Sequence, residues 1–172
     1  MIYLVMSFLA TSALMLFFSA CVTQRDPILL PIPGYSGNQS IVLNSPVMTD
    51  KAMERIPYSP NVTGGYADTM QIVHGTLSTD LHLYNYCDDN GNLLHVEMSF
   101  RLPYDRLEEF IQAYVEVLRS NDWTINENWR NEYRDGKYVV LGYKSERPLS
   151  FIMSRPRHPD DIVEVFMSIS TY

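Results

Sequence analysis

The sequence predicts an α+β domain: an antiparallel β-sheet of about five strands with one α-helix packed on one face, preceded by an apolar signal or anchor helix and a proline-rich tether. Three observations carry this. The turn Asp89-Asn90-Gly91-Asn92 separates two runs whose apolar and polar residues alternate in register. A single apolar stripe (Leu107, Phe110, Ile111, Tyr114, Val117, Leu118) recurs at helical spacing immediately afterwards. The first 22 residues hold no Asp, Glu, Lys, Arg, His, Pro or Gly.

That leader is apolar on every side, which a globular surface helix is not. It is long enough to cross a bilayer or to act as a secretory signal. From residue 22 to about 67 the composition changes. Six of the ten prolines fall there (Pro27, Pro31, Pro33, Pro46, Pro57, Pro60), broken by short apolar patches such as Ile28-Leu29-Leu30 and Ile41-Val42-Leu43. Proline fixes the backbone and removes donors, so this stretch reads as a tether, partly extended and partly laid over the domain. The expected organisation is therefore leader 1–20, tether 21–67 and folded domain 68–172.

With Asn90-Gly91 as a two-residue loop, Cys87 faces Leu94, Leu83 faces Met98 and Leu81 faces Phe100, with Asn85 and Val96 on the same side. Tyr86 with His95, Tyr84 with Glu97 and His82 with Ser99 make the opposite, polar face. The following helix opens on Asp105-Arg106-Leu107-Glu108, a capping box with Asp105 as N-cap, and stops at Ser120-Asn121-Asp122. Residues 123–133 and 138–144 read as a second hairpin around Asp135-Gly136, aligning Trp129, Asn131 and Tyr133 with Tyr143, Leu141 and Val139. A short strand at 149–154, a last one through Val163, Val165, Met167 and Ile169, and an extra one at 70–77 complete the sheet.

The leader ends in Phe18-Ser19-Ala20-Cys21, which resembles the close of a bacterial lipoprotein signal: small residues before the cut, then the cysteine that takes the lipid. The resemblance implies lipid attachment at Cys21, cleavage before it, and stable membrane anchoring once two or more acyl chains are present. Two positions depart from the usual pattern. No Lys or Arg precedes the apolar run, and Phe18 stands where Leu is common. An uncleaved anchor in the inner membrane therefore stays open as the alternative. Val22 is not the Asp that retains lipoproteins in the inner membrane, which implies the outer membrane, facing the periplasm. The order of elements over residues 81–172, together with Trp123, resembles small helix-on-sheet modules of bacterial lipoproteins. One example is the C-terminal domains of an accessory lipoprotein of the outer-membrane β-barrel assembly machinery. No functional residue carries over from it.

The net charge of −7 lies entirely at or after Arg25, which argues against nucleic acid as a partner. Of the two cysteines, Cys87 is expected inward on the sheet, as a small hydrophobe without a disulfide. The chain lacks the Gly-x-Ser-x-Gly and Ser-x-x-Lys patterns of serine nucleophiles, and Glu108-Glu109 suit a helix N-terminus without any catalytic role. No catalytic, cofactor or metal residues are assigned. The expected function is that of a membrane-anchored envelope lipoprotein acting as a non-enzymatic binding or assembly module. Its possible partner loop is Arg155, Arg157 and His158, which would meet an envelope protein or glycan. The alternative is an envelope enzyme or metal-dependent factor using His82 and His95.

Overall fold

A computed structural model describes residues 26–34, 39–47, 53–54, 61–133, 138–158 and 160–171. The leader, Cys21 and the Asp135-Gly136 turn lie outside these residues. The described elements are β1 (Ile28–Pro31), β2 (Ser40–Leu43), β3 (Gly64–His74), β4 (Leu77–Cys87), β5 (Leu93–Pro103), α1 (Tyr104–Ser120), β6 (Thr124–Ile125), α2 (Trp129–Tyr133), β7 (Val139–Lys144), β8 (Arg147–Met153) and β9 (Ile162–Ser170).

The larger sheet has seven strands rather than about five, in the order β3-β4-β5-β9-β8-β7-β6, and every pairing is antiparallel. Alternation sorts its residues onto two faces. Leu81, Leu83, Val96, Met98, Phe100, Val165, Met167, Ile169, Leu149 and Phe151 are buried on the inner one. Helix α1 lies on that face, burying Leu107, Phe110, Ile111, Tyr114, Val115 and Leu118, with the Phe110 ring 5.1 Å from that of Phe100. Val115 thus takes the core position expected of Val117, which is only half-buried.

The remainder of the inner face is covered by a part of the chain expected to be tether. Strands β1 and β2 pair as a separate two-stranded ribbon, with Ile28, Leu30, Ile32 and Leu43 in the same core as the main sheet. Three ties hold the ribbon down. The Tyr114 hydroxyl donates to the Pro31 carbonyl (2.8 Å), the Trp123 indole N–H to the Leu29 carbonyl (3.2 Å), and the Asn44 N–H to the Leu93 carbonyl (2.7 Å). Strand β3 likewise starts at Gly64, ahead of the expected boundary at residue 68, because it pairs with the whole of β4 from Gly64↔Cys87 to His74↔Leu77.

The central hairpin keeps the expected register from His82↔Ser99 to Tyr86↔His95 and departs from it at the turn. Asp88 accepts the Gly91 N–H on its carbonyl, and its Oδ1 takes the N–H groups of Asn90 (2.9 Å) and Asn92 (2.8 Å). The loop is therefore three residues long, Gly91 stands at φ 75°, and Cys87 pairs with Leu93 instead of Leu94. Tyr86 and His95, expected on a wet face, are buried.

Helix α1 begins without the expected capping box. Pro103 occupies the N-cap, no side chain caps the helix, and the Tyr104 N–H donates instead to the Asp161 carbonyl (2.9 Å). At the other end the left-handed residue is Asp122 (φ 60°), one beyond Asn121. Lys144 Nζ donates to the free carbonyls of Asn121 (2.8 Å) and Asp122 (3.2 Å). The long strand expected over residues 123–133 is also corrected. Asn126 Oδ1 accepts the Asn128 N–H (3.0 Å), its Nδ2 donates to the Val140 carbonyl (2.8 Å), and its own carbonyl accepts the Trp129 N–H (3.2 Å). This side-chain turn stops β6 after two residues and opens α2, which buries Trp129 and Tyr133.

Candidate functional site

The second face of the sheet carries no covering layer among the described elements, and every sequence-derived candidate within the described residues lies on it or at its rim. Two rows of side chains cross it. One runs His82–Ser99–Phe166–Ile152 over β4, β5, β9 and β8; the next runs Tyr84–Glu97–Ser168–Ser150. Serines in the middle strands leave a depression between larger neighbours. The result is a groove of about 230 Å3 lined by Tyr84, Glu97, Ser99, Tyr138, Ile152 and Phe166. Phe166 is 46% exposed and Tyr138 61% exposed.

At one end of this face Glu97 joins two buried residues. Its Oε2 accepts the Tyr86 hydroxyl (3.0 Å), and its Oε1 lies 3.3 Å from His95 Nε2, with the Tyr86 and His95 rings 5.1 Å apart. His82 stands four residues along β4 from the Tyr86 that faces His95, about 13 Å at strand rise. Its Nδ1 shares a hydrogen bond with the Thr69 hydroxyl (3.1 Å). The two histidines are thus engaged separately and are not brought together. Among the described residues no group of three His, Cys, Asp or Glu side chains is placed to hold a metal ion.

At the other end the Arg101 Nε lies 3.4 Å from Glu164 Oε1, and the β8–β9 loop carries Arg155, Arg157 and His158, all exposed. Asp161 shapes this loop. Its Oδ2 accepts the N–H groups of Arg157 (2.6 Å) and His158 (2.9 Å), and these donors hold its carboxyl below the usual carboxylate range. Asp160 and Asp161 balance the formal charge of Arg155 and Arg157 within the loop. The basic character legible in the sequence is thereby offset in the fold. Cys21, the expected lipid attachment point, lies outside the described residues. Cys87 is a free, buried thiol, and burial together with the Asp88 carboxylate pushes it up to about 11.

No known protein family, no curated protein and no solved structure matches the chain. No helix among the described residues is long and apolar enough to cross a membrane. The chemistry of the exposed face is therefore read from its own residues. Aromatic and aliphatic side chains flank short hydroxyls and one carboxylate, a surface suited to holding a partner's apolar group with polar bonds at its margin. The sequence reading missed the groove. Its members come from β4, β5, β8, β9 and Tyr138 just before β7, and only the pairing of β9 between β5 and β8 assembles them.

Proposed function

We propose that this chain is a membrane-anchored bacterial envelope lipoprotein whose folded domain is a non-enzymatic binding or assembly module, and that the uncovered sheet face is where it binds. One observation carries the reading: Tyr84, Tyr138, Ile152 and Phe166 are exposed and line one groove on this sheet face. Patches of this kind on a monomer mark interaction sites more often than accident does, whereas singly scattered apolar residues need no explanation. The leader ending in Phe18-Ser19-Ala20-Cys21 supports the anchoring half of the proposal.

The test is photocrosslinking in intact cells from a reactive residue at Phe166, beside a control at Glu116 on the exposed side of α1. The expected result is a discrete adduct from position 166 that is absent from 116 and weakened by Tyr84→Ser with Ile152→Ser. These positions are exposed, so folding should survive the changes. No adduct at 166, or the same adducts from both positions, would overturn the assignment of this face.

A further inference from the structure

The ribbon β1–β2 changes where the chain leaves the domain and how far it can stray from its anchor. Asp26 is fixed: its carbonyl accepts Asn44 Nδ2 (2.9 Å), and Asn44 and Ser45 are bonded to Leu93, the first residue of β5. The chain therefore enters at the end of the sheet that carries the β4–β5 turn (residues 88–92), the β7–β8 turn and the C-terminus of α1. The opposite end carries the β3–β4 turn at Gly75, the start of α1 and the β8–β9 loop.

We infer that the anchored protein stands end-on at the bilayer, with the β4–β5 turn facing the lipid and the β8–β9 loop at the far end. This rests on the anchoring half of the proposed function. Five peptide units separate Cys21 from Asp26, a reach of at most about 18 Å, whereas the eleven residues of β4 extend about 35 Å. The leash is too short for the domain to turn its far end to the membrane. Lying on a flank is opposed by charge. Helix α1 carries Asp105, Glu108, Glu109 and Glu116 against Arg106 and Arg119, and the sheet side carries Asp80, Glu97 and Glu164 against Arg101, so each flank is acidic after its ion pairs are counted. A partner in the groove must then come within a few tens of ångströms of the lipid surface.

The experiment uses the full chain, expressed with its leader and reconstituted into vesicles carrying headgroup nitroxide lipids. A thiol fluorophore is placed at Asn90→Cys or at Asp160→Cys. Both positions are exposed, and the buried Cys87 does not compete for label. A lipid-bearing Cys21 has no thiol left to react; where the intact mass shows Cys21 unmodified, the labelling is repeated in a Cys21→Ser background. The expected result is strong loss of fluorescence at position 90 and little at position 160. Equal loss at both, or greater loss at 160, would overturn the orientation. Intact mass on the same sample separates this from the anchoring reading. A lipidated mass without residues 1–20 and an unmodified full-length mass both leave the short leash in place, although the second refutes lipid attachment. A cleaved mass without lipid, with no membrane association, would overturn both.

Discussion

Asp161 does three jobs with one residue: its carboxylate holds two N–H groups of the β8–β9 loop, and its carbonyl receives the first free N–H of α1. Because its folded pKa lies below the unfolded value, this contribution is complete above about pH 4 and is lost as pH falls through the folded pKa. The amide signals of Arg157 and His158 should titrate together with a midpoint under about 3.9, and Asp161→Asn should abolish that titration. A midpoint at or above the ordinary aspartate value would refute the account. The β7–β8 turn offers a second case. Ser145 (φ 49°) and Glu146 (φ 64°) are both left-handed, the geometry of a two-residue hairpin normally built from Asn-Gly. Glu146→Gly should relieve strain and raise stability by about 1 kcal/mol in urea denaturation; an unchanged or lowered midpoint would contradict this. Neither feature is legible in the sequence. Ser-Glu carries no turn signal, and Asp161 acts on residues placed by the loop it closes.

At the scale of elements, legibility follows locality. The β4–β5 register could be read because two alternations agree across a turn with Asn-Gly in it, and α1 because six apolar residues share one stripe. The ribbon β1–β2 could not, since each strand has four residues and prolines break up any period, while its stability comes from partners some 50 to 90 positions away. Trp129 and Tyr133 suggested a strand by type, but the bonds of Asn126 turn that segment helical. If β1 belongs to the core, Leu30→Ala should cost about 2–5 kcal/mol. A loose tether would show no change in a denaturation midpoint. Trp123 reports the same event directly, because its indole is bonded to β1.

The whole molecule behaves as one body of packed layers, with the ribbon and α1 on one side of a seven-stranded sheet and, among the described elements, no covering layer on the other. Its hydrophobic core joins residues from Ile28 to Ile169, so unfolding should be a single transition seen equally by tryptophan fluorescence and circular dichroism. A chain beginning at residue 68 lacks β1, β2 and the start of β3, and should show no cooperative transition. If it unfolded as sharply as a chain beginning at residue 26, the ribbon would be dispensable. The candidate face belongs to this scale too. Its residues were individually visible as ordinary strand positions, and only the complete sheet makes a surface of them.

The place of β9 also constrains the order of events in synthesis. The latest strand in the chain lies between β5 and β8, in the middle of the sheet. Until it arrives, β3-β4-β5 and β6-β7-β8 are two half-sheets, each with an unpaired inner edge and an uncompleted core. A nascent chain therefore cannot close this sheet part-way, and its two half-sheets stay unjoined until β9 has been made.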